Sequence, residues 1–299
     1  MQRTGSRHKA LRRLRWRLRP PVLALGGGGA RGFAHYGVLD VLDELRLPVR
    51  GIAGTSMGAV AGAMYLAHGS AGAAIARWQR AIEADLVPPV RPLRNRMEDG
   101  LRENPLLQAA RRIRDHVVVA WAANRPTVLD GRDLDRALQF LIPDGDLEGL
   151  QTPFLAVATD LSDGSEVRLV QGNLRHVLRA SSAIPGLLPP IEVEGRMMVD
   201  GGVVAEIPVA AARTLGWPVI AVDTSMDVPK LESNDLALDT MMRTQMMTSR
   251  LVRRADLDRA SAILRPQVGH ATWADWGRFD ELVAAGRRAA EEYLGASGR

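Results

Sequence analysis

The sequence predicts an α/β fold in which parallel strands alternate with helices. Short apolar runs suit buried strands, amphipathic stretches suit helices, and glycine-rich turns separate the two. With 46% hydrophobic and 24% charged residues, the composition matches an ordinary globular chain and excludes a disordered, collagen-like or coiled-coil protein. Because the alternation continues almost to residue 299, we predict one large domain rather than two.

The predicted elements follow one another from residue 20 onward. Residues 22–25 form a short apolar run typical of a buried strand, glycines end it, and residues 34–45 have the pattern of a helix that ends before Pro48. A strand at 49–54 and a helix at 59–67 repeat this order, which favours a parallel sheet with right-handed crossovers. Further strands are predicted at 154–158, 167–170, 191–193, 197–199, 219–222 and 262–264. Further helices are predicted at 134–141, 205–215, 235–253 and 279–294.

Positive charge is concentrated in residues 1–20, which we interpret as a basic N-terminal arm. They contain no acid and eight cations: Arg3, Arg7, Lys9, Arg12, Arg13, Arg15, Arg17 and Arg19. The apolar run after them is too short for a secretory signal, so we expect a cytoplasmic protein. Leu11, Leu14 and Leu18 fall on one helical face among the cations, which predicts peripheral contact with anionic lipid on the inner face of the membrane. A disordered, solvated tail is the alternative interpretation.

Several classes of site are excluded or not expected. The absence of cysteine excludes a disulfide framework, a thiol nucleophile and a cysteine-based metal site. The six histidines show no ligand-pair spacing, so we expect no metal site. Arginine outnumbers lysine, which we attribute to codon bias, and we expect no nucleic-acid partner.

Residues 88–126 depart from the alternating pattern. Pro88, Pro89, Pro92 and Pro105 interrupt them, arginines are frequent, and residues 113–121 form an apolar helical stretch. We predict that this segment is an insertion that caps a site. A plain surface excursion is the alternative.

A run of glycines separates the first strand from the first helix. Gly27, Gly29 and Gly32 have the G-x-G-x-x-G spacing of dinucleotide-binding loops. A nicotinamide-binding fold also needs an acid at the end of the second strand, and none is present there. Consecutive glycines let backbone N–H groups approach an anion at a helix N-terminus, and the oxyanion of ester cleavage is such an anion. A nucleotide- or phosphate-binding module that uses Gly27–Gly32 without hydrolysis is the alternative.

The second strand is followed by a G-x-S-x-G motif, Gly54-Thr55-Ser56-Met57-Gly58. A strand, a sharp turn and a helix are the context of a nucleophile elbow, which presents a serine hydroxyl above the sheet. The alternative is a glycine-rich helix N-terminus that Ser56 caps. Because Ser56 follows the anion-binding glycine loop by 25 residues, we favour the nucleophile elbow over the helix cap.

A serine nucleophile needs a base, and three acids follow predicted strands: Asp160, Asp200 and Asp223. The residues alone do not choose among them, although a sharp glycine turn follows Asp200 at once. His270 lies C-terminal to all three, and the order serine, acid, His270 would match an α/β-hydrolase triad. We interpret His35, in the helix after the glycine run, as a hydrogen-bonded structural histidine.

Three ordered motifs resemble the patatin-like phospholipases, especially their bacterial members. The family pattern G-G-G-x-[R/K]-G, G-x-S-x-G and D-G-[G/A] corresponds here to Gly27–Gly32, Gly54–Gly58 and Asp200–Gly202. Residues 156–161, 180–185 and 263–266 add to the resemblance. It implies a three-layer α/β/α fold with a mostly parallel central sheet, with the hydrolase domain at 21–294 between the arm and a tail at 295–299.

The resemblance also implies roles for individual residues. Ser56 corresponds to the nucleophile and Asp200 to the base of a Ser–Asp dyad that uses no histidine. Gly28 and Gly29 would offer oxyanion-hole amides, and Arg31 would steady that loop. The other motif positions are Gly27, Gly32, Gly54, Gly58, Gly201 and Gly202. The implied activity is hydrolysis of lipid acyl esters, as by a phospholipase or lysophospholipase, without metal or cofactor. For this activity we expect the insertion at 88–126 to cover a groove for the acyl chain.

Overall fold

Nine α-helices and eight strands occur in the computed structural model, which describes residues 2–86, 131–226 and 237–295. The strands are β1 (Val22–Leu25), β2 (Gly51–Thr55), β3 (Phe154–Asp160), β4 (Glu166–Leu169), β5 (Ile191–Val193), β6 (Arg196–Asp200), β7 (Val219–Val222) and β8 (Ala262–Leu264). The helices are α1 (Gln2–Leu18), α2 (Ala34–Glu44), α3 (Met57–His68), α4 (Ala71–Glu83), α5 (Arg132–Leu141), α6 (Leu174–Ser181), α7 (Val209–Leu215), α8 (Ala237–Leu257) and α9 (Phe279–Leu294).

All eight strands belong to one sheet, and its two faces carry separate apolar cores. Leu23 and Leu25 of β1 belong to the larger core, to which α2, α3, α4 and α9 contribute. Val22 and Ala24 belong to the smaller core, to which α7 contributes. Successive side chains of a strand point to opposite faces, so a strand with helices on both sides is apolar throughout. The three layers confirm the predicted α/β/α fold.

The central part of the sheet is parallel, and its β3 side is antiparallel. The strand order is β5-β6-β3-β2-β1-β7-β8, with β4 paired to β3. Strands β3, β2, β1, β7 and β8 are parallel to their neighbours in this order. Strands β4 and β6 run antiparallel to β3, and β5 runs antiparallel to β6.

Two strands share one edge of β3 and meet there end to end. Val157 pairs with Thr55 of β2, and the next residue, Ala158, pairs with Asp200 of β6. Strand β4 pairs with both Val157 and Ala158 along the opposite edge. Because β2 and β6 run in opposite directions, their carboxyl ends face each other beside β3. This arrangement places the residue after Thr55 next to Asp200.

Most predicted elements are confirmed within a few residues, and the helix predicted at 205–215 is the clearest exception. It begins only at Val209, with Pro208 as the preceding residue. Proline disfavours helical dihedral angles in the residue before it, so the chain stays non-helical up to Ile207. The carbonyl groups of Ala205 and Glu206 are thereby available as acceptors for other elements.

The predicted insertion at 88–126, with its helical stretch at 113–121, and residues 296–299 of the tail lie outside the described residues.

The N-terminal arm forms helix α1, so the alternative of a disordered tail is wrong. Trp16 is buried and contacts the Tyr293 ring of α9 edge to face at a centroid distance of 6.3 Å. The Arg12 guanidinium lies 4.7 Å from the centroid of the same ring and donates to the Tyr293 carbonyl at 3.1 Å. The Arg17 side chain donates to the Leu45 carbonyl at the end of α2. These contacts fix which face of α1 points outward.

Helices α3 and α4 follow each other with a sharp change of direction. Gly69 ends α3 in a left-handed conformation, with φ at 78°. The Ser70 hydroxyl then caps α4 by accepting the Ala73 N–H. The two helices meet the length and apolarity needed for a membrane crossing only as a pair bent by 115°, and no single described helix meets it alone.

An aromatic cluster holds α2, α4 and α9 together behind the glycine run. Phe33 packs edge to face on Trp78, Trp276 and Phe279 at centroid distances of 4.9, 5.5 and 4.6 Å. The Trp78 ring N–H donates to the buried Tyr36 hydroxyl at 2.6 Å. Since Phe33 ends the 3₁₀-helix at Gly29–Phe33, this cluster anchors the chain just after the glycines.

We expect Phe33→Ala to lower the free energy of unfolding by ~3–5 kcal/mol, because it leaves a cavity among aromatic rings. Urea unfolding followed by tryptophan fluorescence measures this change. Leu161→Ala is the matched control because Leu161 is exposed, and its effect should stay within ~0.5 kcal/mol. Equal losses in the two variants would contradict a packed role for Phe33.

Candidate active site

The turn between β2 and α3 holds Ser56 in a strained backbone conformation. Its φ of 52° and ψ of −124° lie in a region that residues with a side chain rarely adopt. A methyl group at Gly54 would overlap the Ala59 backbone, and one at Gly58 would overlap the Leu25 carbonyl. The Ser56 side chain makes no capping hydrogen bond, so the interpretation of Ser56 as a helix cap is wrong. The geometry is that of a nucleophile elbow.

The Ser56 hydroxyl interacts with the Asp200 carboxylate and favours its charged form. Both side chains are largely shielded from water, with relative exposures of 9% for Ser56 and 6% for Asp200. Ser56 follows the carboxyl end of β2, and Asp200 is the last residue of β6. Their contact therefore depends on the end-to-end arrangement of these strands beside β3.

Asp200 is fixed through its backbone as well as its carboxylate. Its N–H donates to the Ala183 carbonyl at 2.9 Å, and its carbonyl accepts the Thr159 hydroxyl at 3.0 Å. One carboxylate oxygen accepts the Gly202 N–H at 2.7 Å. Burial raises the pKa of Asp200 to about 6, although the nearby Ser56 hydroxyl and the hydrogen bond from Gly202 favour the charged form. Asp200 is therefore mostly ionised at neutral pH and gains a proton just below it.

The other two candidate acids have partners elsewhere. Asp160 accepts a hydrogen bond from the Arg196 guanidinium at 2.5 Å. Asp223 pairs with Arg265 at 3.3 Å. Of the three acids that follow strands, the structure brings only Asp200 to Ser56. The tertiary structure thus resolves a choice that the residues left open.

Neither candidate histidine contacts the Ser56–Asp200 pair within the described ranges. His35 is fully buried and its Nε2 hydrogen-bonds the Gly26 carbonyl at 2.8 Å, which confirms its structural interpretation. Burial lowers the pKa of His35 to about 4, so the ring is neutral at physiological pH. His270 is exposed, on the wall of a cavity that Asp223 also lines. The structure therefore offers no Ser–acid–His270 triad.

The glycine run lies directly against Ser56 and is held from several sides. A methyl group at Gly27 would lie 3.5 Å from the Ser56 Cβ. The Gly27 carbonyl accepts the Thr224 hydroxyl at 2.9 Å, and the Gly28 carbonyl accepts the Arg31 Nε–H at 3.2 Å. Gly28 and Gly29 have φ angles of 149° and 56°, which only glycine adopts readily.

Two N–H groups in this run have no acceptor in the described part of the chain, those of Gly28 and Gly29. The amides on either side of them donate to carbonyls of other elements: Gly26 to Val222 at 3.2 Å, Gly27 to Glu206 at 2.8 Å and Ala30 to Trp273 at 2.8 Å. An N–H group of a glycine turn that lacks an acceptor favours an anionic ligand. The two free amides directly follow Gly27, which lies against Ser56.

Arg31, Glu206 and Arg253 form a largely buried group of charges next to the glycine run. Burial lowers the pKa of Arg31, whereas the negative charge of Glu206 raises it. Burial raises the pKa of Glu206, although Arg253 lies within 3.6 Å and favours its charge.

In the described residues no group of three histidine, aspartate or glutamate side chains could hold a metal ion.

Sequence reasoning missed several residues that hold the site. The Ser56 N–H donates to the Ser181 hydroxyl at 3.0 Å, and this hydroxyl donates to the Val157 carbonyl at 2.6 Å. The Thr55 hydroxyl donates to the Ala205 carbonyl at 2.8 Å. Ser181 lies in the 180–185 segment that carried part of the family resemblance, which was the only signal in the sequence. A contact between residues 125 positions apart leaves no local pattern.

Chemically, the site combines a serine hydroxyl, a carboxylate that can accept its proton, and two adjacent amides without acceptors. A carboxylate with a pKa of about 6 is ionised at neutral pH and is more basic than an exposed aspartate. Amides that point at a developing oxyanion stabilise it more in a site shielded from water than in solution. This set of groups suits acyl transfer through a covalent serine intermediate.

Comparisons with known proteins agree with this geometry. A family model described as patatin-like phospholipase matches residues 23–213. The chain is 34% identical over 189 residues to an uncharacterized NTE family protein of Mycobacterium tuberculosis, covering 63% of this chain and 44% of that protein. It is 28% identical over 322 residues to a lysophospholipase of Emericella nidulans, covering 97% of this chain and 19% of that protein. The chain thus spans less than half the length of these relatives.

One solved structure shows the same fold at low sequence identity. VipD from Legionella pneumophila is 15% identical, with a TM-score of 0.50 and coverage of 92% of this chain and 66% of that chain. This likeness supports the α/β class and the mixed, mostly parallel sheet. The glycine run, the elbow and Asp200 all lie within the residues that the family model matches.

The raised pKa of Asp200 predicts a pH-dependent penalty on stability. Between about pH 4 and pH 6 the folded protein holds this proton and the unfolded chain releases it, so the contribution of Asp200 to stability falls as pH rises. Above that window the penalty amounts to ~3 kcal/mol. We expect Asp200→Asn to be more stable than the wild type at pH 8 and nearly equal to it below pH 4, as measured by urea unfolding.

Asp160→Asn is the control of opposite sign. The Ser162 N–H and the Arg196 guanidinium lower the pKa of Asp160, so its charge stabilises the fold above the unfolded pKa. This variant should be less stable than the wild type at pH 8. A loss of stability in Asp200→Asn at pH 8 would contradict a carboxylate that burial destabilises.

Proposed function

Because the chain belongs to the patatin-like phospholipase family, we propose that it hydrolyses lipid acyl esters through a Ser56–Asp200 dyad. The observation that carries this proposal is the juxtaposition of the Ser56 hydroxyl and the Asp200 carboxylate at a strained elbow. The free N–H groups of Gly28 and Gly29 form the oxyanion hole, and Arg31 steadies their loop. The reaction uses neither a metal nor another cofactor.

In the first half-reaction, the Ser56 oxygen attacks the ester carbonyl and its proton passes to Asp200. The carbonyl oxygen becomes an oxyanion, which the amides of Gly28 and Gly29 bind. The tetrahedral intermediate then expels the alcohol, and Asp200 returns the proton to the leaving oxygen. An acyl group on Ser56 remains.

In the second half-reaction, water attacks the acyl-enzyme while Asp200 accepts a proton from it. Collapse of the new tetrahedral intermediate releases the fatty acid and returns the proton to Ser56. Burial of Asp200 makes this possible without histidine, because its pKa of about 6 approaches the ~6.5 of an imidazole. The same carboxylate thus acts as base and acid in both steps.

For the substrate, we propose a phospholipid or lysophospholipid. The support is the family itself and the relative named as a lysophospholipase, which aligns with 97% of this chain. A long acyl chain needs an apolar groove, and the sequence prediction assigns that role to residues 88–126. Chemistry at Ser56 needs only the ester, so short soluble esters are also substrates.

A fluorophosphonate probe tests the nucleophile. We expect labelling of the wild type and its loss in Ser56→Ala, with ester hydrolysis reduced at least ~10³-fold in Ser56→Ala and Asp200→Asn. In the wild type, kcat/KM should fall below about pH 6, as Asp200 gains a proton. His270→Ala and Asp223→Asn are the controls and should retain most activity.

Two results would reject the dyad. A folded His270→Ala variant as inactive as Ser56→Ala would favour a triad. Labelling that persists in Ser56→Ala would mean another nucleophile. Nucleotide binding without any ester hydrolysis would support the alternative phosphate-binding module.

We also propose that the outward face of α1 binds an anionic lipid surface. Leu11, Leu14 and Leu18 are 62%, 53% and 74% exposed, on the face opposite the buried Trp16. Arg15 lies beside them and is exposed. A short apolar stripe flanked by cations suits the headgroup region of a bilayer, where each basic residue adds ~1 kcal/mol.

This contact would hold the domain at a membrane rather than feed lipid to Ser56. Helix α1 leads into the amino end of β1, whereas Ser56 follows the carboxyl end of the parallel neighbour β2. Binding through α1 would place the protein on the inner face of the membrane, as the sequence analysis expects.

Vesicle sedimentation at low salt tests this surface. We expect the triple variant Leu11→Gln, Leu14→Gln, Leu18→Gln to lose at least ~10-fold in binding to phosphatidylglycerol vesicles, because burial of three leucines contributes several kcal/mol. Its hydrolysis of a short soluble ester should match the wild type. The matched control is Leu161→Gln with Leu251→Gln, two exposed leucines elsewhere. Equal sedimentation of the triple variant and the wild type would exclude this role for α1.

A further inference from the structure

We infer that Ser181 is a positioning residue that holds the Ser56 backbone in its reactive conformation. This role rests on the proposed function, because it concerns the reactivity of the Ser56 hydroxyl. Ser181 is fully buried at the end of α6 and is 125 residues away from Ser56 in the sequence. Its side-chain hydroxyl contacts the backbone of the elbow directly.

The two hydrogen bonds of Ser181 have a fixed direction. A hydroxyl has one hydrogen, and here it is donated to the Val157 carbonyl at 2.6 Å. The lone pairs of the same oxygen then accept the Ser56 N–H at 3.0 Å. Ser181 therefore links the middle of β3 to the turn that follows β2.

This link stabilises a backbone conformation that is otherwise unfavourable. Ser56 has φ and ψ angles of 52° and −124°, and such strained residues persist only where their surroundings hold them. Without the Ser181 oxygen, the buried Ser56 N–H would lose its hydrogen-bond acceptor. The elbow would relax, and the hydroxyl would move away from Asp200.

The same link determines which amides remain free for the oxyanion. Because the Ser56 N–H is engaged by Ser181, it does not donate to a bound substrate. The Gly28 and Gly29 N–H groups have no acceptor among the described residues and remain available to the oxyanion. The Ser56 N–H thus stabilises the elbow through Ser181, while the Gly28 and Gly29 N–H groups bind the oxyanion.

The residues just after Ser181 hold the second member of the dyad. The Ala183 carbonyl accepts the Asp200 N–H at 2.9 Å. One segment of three residues therefore contacts the backbone of both Ser56 and Asp200. The alignment of hydroxyl and carboxylate depends on this segment, and a small displacement there lowers the rate because reacting groups must be placed within about 1 Å.

The test compares Ser181→Ala with Ser182→Ala. Ser182 is the matched control, because it is the neighbouring residue, it is buried, and its hydroxyl has no hydrogen-bond partner among the described residues. For each variant, the measurements are the second-order rate constant of fluorophosphonate labelling, and kcat and KM for a short soluble ester, normalised to labelled sites. A rate constant per labelled site is independent of the fraction of molecules that are folded.

We expect Ser181→Ala to lower the labelling rate constant and kcat by ~10²-fold, with KM within about twofold of the wild type. Ser182→Ala should match the wild type in all three. Ser181→Thr, which keeps the oxygen, should recover at least ~10-fold over Ser181→Ala, and it guards against a variant that fails to fold.

Different results overturn different claims. A Ser181→Ala variant that labels at the wild-type rate would exclude the positioning role, and so would a rise in KM with kcat unchanged. Equal losses in Ser181→Ala and Ser182→Ala would indicate a general packing effect and would also exclude it. A wild-type protein that neither labels nor hydrolyses esters would overturn the proposed function, and the positioning role with it.

Discussion

The candidate site depends on two strands that meet end to end along one edge of β3. Strand β2 runs parallel to β3 and ends at Thr55, and β6 runs antiparallel to it and ends at Asp200. Their last residues pair with Val157 and Ala158, which are consecutive. A polar residue placed after one strand therefore faces a carboxylate at the end of the other. Neither a purely parallel sheet nor a one-residue shift in register would bring these groups together.

Burial at this junction converts an ordinary aspartate into a better base. Burial raises the pKa of Asp200 to about 6, while the Ser56 hydroxyl and the Gly202 N–H favour its charged form. The raised pKa reduces the stability of the fold at neutral pH and makes proton transfer from a serine easier. Strain at Ser56 and a buried charge at Asp200 are two unfavourable features in one place. Such features concentrate at functional sites because the rest of the fold can support them.

The scaffold around the junction explains how it tolerates them. The Phe33 cluster fixes the chain after the glycine run, and Thr224 and Arg31 hold its carbonyl groups. Ser181 holds the elbow from the side of β3. These supports come from elements far apart in the sequence, and the hydrogen bonds among them act on backbone groups. The site is therefore built from backbone geometry, with few reactive side chains.

The sequence by itself determined the α/β class, most strands and helices, the glycine run and the elbow, because hydrophobic periodicity and glycine spacing are local signals. The choice among Asp160, Asp200 and Asp223 came from resemblance to a family, and from the residues alone it stayed open. The local pattern also placed the start of α7 too early, at residue 205 instead of Val209. It did not decide whether the N-terminal arm is helical or disordered. Only the tertiary structure chose the acid that meets Ser56 and the oxygen that accepts its N–H. Both depend on strand direction and register between segments more than 100 residues apart, and such contacts leave no periodic trace in a single sequence.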